Sequence, residues 1–154
     1  MNLTKNFTFE EMTKSETALR FSMGNHPGDT ELQNLIILCE KVLQPIRNHY
    51  NRGVKVNSGY RHPLVNAKVG GSPRSDHCKG MAADIEIPGI ANADLAQFIV
   101  DNLNYTQVIL EFYTPGIPDS GWVHVSYNAY DLKKQVLTAK VKDGKTEYLD
   151  GLVA

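Results

Sequence analysis

The stretch from Ser75 to Asp84, Ser-Asp-His-Cys-Lys-Gly-Met-Ala-Ala-Asp, restricts the fold of this chain more than any other. It sets His77 and Asp84 seven positions apart with Gly80 between them, and leads into an alternation of Ala83, Ile85 and Ile87 against Asp84 and Glu86. A histidine and a carboxylate in this relation suggest half of a metal site. On one helix they would stand roughly 10 Å apart along the axis, too far for one ion with bonds of about 2 Å. The chain must therefore turn back between them. Gly80 permits this, because glycine takes positive φ at no steric cost, and the period-two pattern after it predicts a strand that starts near Asp84.

A catalytic zinc site has three protein ligands and keeps a fourth position for water. The best third donor is His124, in Gly-Trp-Val-His-Val-Ser-Tyr, where Trp122, His124 and Ser126 share one face of a predicted strand and Val123, Val125 and Tyr127 the other. Two neighbouring strands, each with an apolar face for the core, would bring Asp84 and His124 together. The candidate ligand set is His77, Asp84 and His124. The ordinary alternative is that His124 is a hydrogen-bonded wall residue. Cys78 offers a thiol beside His77, although its place in the stretch argues against ligation, and Cys39 reads as a small buried hydrophobe; both cysteines are expected to be free.

Before this stretch, Thr8 caps a short predicted helix with Glu10 and Glu11 in its first turn and Met12 as its apolar contact, and Ser15 starts another turn. Asp29 or Thr30 opens a long helix whose apolar stripe is Leu32, Leu35, Ile36, Cys39, Val42, Leu43 and Ile46. Pro45 should kink it or disrupt one turn before it ends near Tyr50. His26 and His49 read as surface residues. Val54 to Asn57 is a predicted strand, and Pro63 to Val69 a short helix closed by Gly70-Gly71.

Beyond the stretch, a helix is predicted from Asn92 to Leu103, with Leu95, Phe98, Ile99 and Leu103 toward the core. The run Thr106 to Phe112 alternates Val108, Leu110 and Phe112 against Gln107, Ile109 and Glu111; by the logic of the neighbouring strands the second set faces the site, which points Glu111 at the metal. Val136 to Val141 and Thr146 to Leu149 read as a hairpin with a glycine-bearing turn that extends the sheet.

Four ordered blocks then carry a resemblance that covers most of the chain. The central stretch matches Ser-x-His-x-x-Gly-x-Ala-x-Asp at every fixed position. Ser58-Gly59-Tyr60-Arg61 with Pro63, Asn66 and Gly70-Gly71-Ser72 precedes it, and Trp122 to Tyr127 closes it; Phe7-Thr8-Phe9-Glu10-Glu11 with Ser15, Thr17 and Ala18 forms the opening. Together they resemble the zinc D-alanyl-D-alanine carboxypeptidase and hedgehog-type peptidase superfamily, in its phage and prophage peptidase branch. The resemblance implies Zn²⁺ as cofactor and hydrolysis of a peptide bond in peptidoglycan stem peptides, by a carboxypeptidase or an endolysin-type endopeptidase. It also implies that Arg61 faces the metal, as a binder of substrate carboxylate or of charge on the attacked carbonyl, for which a guanidinium fork is suited. Ser75 either hydrogen-bonds the substrate or forms the turn.

A zinc peptidase also needs a base. Many relatives place an acid three residues before the last histidine ligand, but Gly121 stands there. Glu111, which resembles a strand-borne glutamate of the hedgehog-like arrangement, is the favoured base, and Asp119 in the preceding loop is the alternative. The missing acid also leaves open a non-catalytic zinc-containing module that binds cell wall or builds a virion.

Composition fits one compact domain over residues 1–154; the predicted elements and the resemblance together imply an α+β fold with a small, mainly antiparallel sheet, helices on one face and the zinc site on the other. A chain of 154 residues buries roughly two thirds of its unfolded surface. With 16 basic and 17 acidic side chains, nothing marks a nucleic-acid footprint. No apolar run approaches the ~18 residues of a membrane span, and Met1 to Asn6 lacks the basic start and apolar core of a signal peptide. The expectation is a monomer synthesised in the cytoplasm, and the resemblance implies that it reaches the cell wall on phage or prophage lysis.

Overall fold

Alternating apolar runs separated by turns assemble into a six-stranded mixed sheet. The computed structural model describes residues 1–153. A short ribbon of β1 (Asn2–Thr4) and β2 (Phe7–Thr8) leads into α1 (Phe9–Thr13) and α2 (Glu16–Arg20). Both helices start on the expected caps: Thr8 Oγ1 accepts from Glu11 N at 3.1 Å and Ser15 Oγ from Ala18 N at 3.1 Å.

The long helix runs as α3 (Asp29–Leu38), a π-helical turn (Cys39–Leu43) and α4 (Gln44–Tyr50). Pro45 explains the interruption. It has no N–H to return to the preceding turn, and its ring crowds the carbonyl four residues back. The helix widens ahead of it, so that Gln44 N bonds to the Cys39 carbonyl, and continues unbroken to Tyr50. Leu35, Leu38, Cys39, Val42, Leu43 and Ile46 are fully buried; Leu38 joins the expected stripe.

The main sheet consists of β3 (Lys55–Ser58), β4 (Ala82–Glu86), β5 (Gln107–Glu111), β6 (Trp122–Ser126), β7 (Gln135–Lys142) and β8 (Lys145–Asp150). Their order is β3-β4-β6-β5-β7-β8, antiparallel throughout except for the parallel pair β5-β7. Between these strands lie α5 (Pro63–Lys68), a 3₁₀ turn (Asp76–Lys79) and α6 (Asn92–Asn102). Ala83 and Ile85, Val108 and Leu110, and Val123 and Val125 form one buried face, packed in a common core with the long helix and with Leu95, Ala96 and Ile99 of α6. A one-residue slip of β4 would expose Ile85, forfeiting about 1.5–3 kcal/mol, and bury Asp84. The apolar pattern therefore sets which side chains face outward.

Phe112 departs from the expected core face. It follows the last residue of β5 with φ at 56°, which ends the strand and swings the ring outward, where it stands 5.5 Å from the Trp122 indole between ring centroids. The β7–β8 hairpin turns on Asp143 and Gly144, both with positive φ (52° and 75°), a type I′ geometry that suits the right-handed twist of the two strands. Among the described residues, no helix is long and apolar enough to cross a membrane.

Candidate metal centre

His77 lies in the 3₁₀ turn, whose start is held by Ser75: its Oγ accepts from His77 N at 3.2 Å. Gly80 ends the turn with φ at 72°, and a Cβ there would collide with the Glu31 carbonyl of α3. Left-handed backbone and close packing thus both demand glycine where the chain reverses toward β4. Asp84 falls at the centre of β4, directly opposite His124 of β6. Cross-strand partners share a face, so register alone brings these two side chains together.

His124 Nδ1 lies 3.0 Å and His77 Nε2 3.4 Å from the same oxygen, Asp84 Oδ1. His77 Nδ1 lies 2.8 Å from the Gly59 carbonyl, which can only accept; Nδ1 therefore carries a proton, which leaves Nε2 as the nitrogen that faces the site. The three donor atoms lie within 4.8 Å of one another. Ligands at about 2.0–2.1 Å around a tetrahedral zinc stand about 3.3 Å apart, so the two measured spacings match edges of that polyhedron. Two imidazoles and one carboxylate form a donor set suited to zinc with one position open. Cys78 is outside the cluster, and both cysteines are free.

Burial opposes the charge on Asp84, but hydrogen bonds and charge from His124 and His77 outweigh it and hold the carboxyl well below its usual range. The same contact seen from the other side raises His124: burial pulls it down, while the hydrogen bond and charge of Asp84, with Glu111 beyond, push it up further. A raised folded-state value means that the metal-free protein gains stability from this pair below pH 6.5 and loses it as pH rises through the folded-state value. Zinc competes with that proton, so its affinity moves the opposite way and strengthens over the same range. Chelator-treated protein is therefore expected to lower its Tm as pH is raised above 6.5, while zinc affinity by calorimetry increases. A zinc affinity independent of pH would remove His124 from the ligand set.

Glu111 lies on the same face, diagonal to His124: its partner on β6 is Trp122, two residues before the histidine. Trp122 Nε1 donates to Glu111 Oε2 at 2.6 Å. Burial, followed by the negative charge of Asp84, raises the Glu111 carboxyl above its ordinary value, against the pull of His124, Trp122 and His77. Asp119 is exposed and borders a separate depression beside Glu86 and Asn92.

His77, Asp84, Glu111, Trp122 and His124 line a cleft of about 820 Å³. Arg61 enters it from the loop after β3, with Nη1 donating to Asn66 Oδ1 at 2.9 Å and Nη2 to Ser58 Oγ at 3.3 Å. Asn66, buried in α5, also donates to the Ser72 carbonyl at 2.8 Å, and so fixes both the guanidinium and the loop that delivers His77. Ser75 lines the cleft while holding the turn. His62 turns away and caps α5, its Nδ1 accepting from Leu64 N at 3.1 Å. Sequence reasoning did not identify Trp122 as the partner of Glu111, nor Lys133, Thr146 and Tyr148 as cleft residues. The indole on the polar face of the His124 strand was the available signal for the first.

Gly121 explains the missing acid. Its φ is 64°, and a Cβ there would run into the Glu111 carbonyl and the Phe112 backbone. Gly121→Ala is expected to destabilise the fold by at least about 1–2 kcal/mol, read as a lowered denaturation midpoint; an unchanged midpoint would show that the loop simply relaxes. A family model described as Peptidase M15 matches residues 5–126. No curated protein matches the chain.

Proposed function

The chain belongs to the peptidase M15 family, and from that premise we propose that it is a zinc metallopeptidase that cleaves peptide bonds in the stem peptides of peptidoglycan. The observation that carries the reading is the convergence of His77, Asp84 and His124 on one point, with Glu111 on the same sheet face. Zinc held there supplies Lewis acidity, which lowers the pKa of water and polarises a carbonyl oxygen.

The residues of the chain do the rest. Glu111 takes a proton from the attacking water at Oε1, the oxygen that Trp122 leaves free. The water oxygen bonds to the carbonyl carbon, the C–N bond breaks, and Glu111 returns the proton to the leaving nitrogen. Its raised pKa suits both halves of that transfer. Trp122 keeps the carboxylate oriented, and His77, Asp84 and His124 would hold the ion. Arg61, anchored by Asn66 and Ser58, binds a substrate carboxylate or the charge that develops on the attacked oxygen. The Ser75 hydroxyl accepts from His77 N and retains its hydrogen for a substrate carbonyl.

Metal analysis of the purified protein, with mass spectrometry of peptidoglycan before and after incubation, tests the assignment. Stoichiometric zinc and new stem-peptide fragments are expected; loss of a terminal D-alanine identifies a carboxypeptidase and an internal cut an endopeptidase. Zinc without fragments would leave a binding module. Failure to load zinc even on reconstitution would remove the ligand assignment.

A further inference from the structure

The matched family region ends at residue 126, yet the cleft continues past it. We propose that the segment after residue 126 forms the specificity wall of the site, with Lys133 recognising a carboxylate of the substrate peptide and Tyr148 packing against its chain, both on the side of the scissile bond away from Arg61. The inference rests on the peptidase reading of the cleft.

One row of register partners crosses four strands: Trp122, Glu111, Ala139 and Tyr148. Partners in a row project from the same face of a sheet. Ala139, between Glu111 and Tyr148 in that row, is fully buried and adds no bulk beyond a methyl group. Tyr148, half-exposed beyond it, rises as a wall that lines the cleft. Two strand spacings amount to about 10 Å, the length of about three extended residues. Tyr148 therefore meets a bound peptide a few residues from the bond that Glu111 serves.

Lys133, six residues before Ala139 on the approach to β7, also lines the cleft and forms no ion pair or hydrogen bond through its side chain among the described residues. Many exposed lysines only solvate a surface, but the backbone around this one is pinned. The buried Thr106 hydroxyl accepts from Asn128 N at 2.7 Å and donates to the Asp131 carbonyl at 2.7 Å. On the other side, Lys134 N reaches the Tyr105 carbonyl at 3.3 Å and Gln135 N the Thr106 carbonyl at 3.0 Å. An ammonium on an anchored loop forfeits less ordering entropy when it binds an anion than one on a mobile loop. Arg61 and Arg74 supply positive charge at the opposite end. Lys133 makes the cleft cationic on both sides of the metal, which favours a peptide with a free carboxylate on the hairpin side.

The test uses zinc-loaded Glu111→Gln protein, which holds a peptide without cutting it, and a synthetic stem peptide as the free acid or with its side-chain and α-carboxylates amidated. Adding Lys133→Ala is expected to weaken the free acid about tenfold by calorimetry and to leave the amide form within about twofold. Tyr148→Ala is expected to weaken both forms. Equal effects of Lys133→Ala on the two forms, no effect on the free acid, or no measurable binding of either form would overturn the proposal. In the cutting enzyme the same change should raise KM with little effect on kcat. Wild-type protein that binds zinc and the free acid but cuts nothing would refute the peptidase reading while leaving the hairpin's role in recognition measured.

Discussion

Glu111→Gln is expected to keep its zinc and to lose turnover on peptidoglycan by about 10²–10⁴-fold, the range for removing a general acid–base. The substitution is nearly isosteric, and its amide oxygen can still accept the Trp122 indole hydrogen that now sits 2.6 Å from Oε2. Only the capacity to take a proton is gone. Because Glu111 is not among the three converging donors, metal content should not change. The measurement is a rate on purified peptidoglycan paired with metal analysis of the same preparation. Turnover within tenfold of wild type would move the base elsewhere, with Asp119 disfavoured by its place outside the cleft. Zinc lost together with activity would instead make Glu111 part of the metal centre.

His124→Ala is expected to abolish zinc binding and activity together. Two ligands, His77 and Asp84, would remain, fewer than a catalytic zinc site uses. The metal-free fold should weaken as well. Asp84 is only 14% exposed in its side chain, and the substitution removes its 3.0 Å partner, leaving His77 at 3.4 Å. Losing a hydrogen bond to a largely buried charge costs about 1.5–3 kcal/mol. Wild-type protein should therefore melt lower when a chelator is added, whereas His124→Ala should melt lower from the outset and ignore the chelator. Stoichiometric zinc in the variant would sink the assignment.

The two expectations depend on residues that differ in how plainly the sequence marks them. His77, Gly80 and Asp84 were legible because the constraint is local: seven residues cannot bring a histidine and an aspartate to one ion unless the chain reverses, and glycine is the residue that reverses it. Period-two alternation placed Asp84 and His124 on the outward faces of their strands, since the buried faces are so plainly apolar. Glu111 followed from the same rule one strand further on. Phe112 did not, because a positive φ at a strand end is a backbone choice that alternation does not encode.

Amino-acid order alone thus determined the helices, the caps at Thr8 and Ser15, the strands with their inward faces, the reversal at Gly80 and the outward placement of Asp84 and His124. Only the tertiary structure decided the parallel pairing of β5 with β7, the exclusion of a side chain at Gly121, the clamp of Asn66 on Arg61, and the approach of Lys133 and Tyr148 to the cleft. The physical reason is the range of the forces involved. Capping, φ preference and amphipathic period act between near neighbours in the chain. Strand order and cleft walls depend instead on which distant apolar faces bury one another, a choice no short stretch of sequence contains.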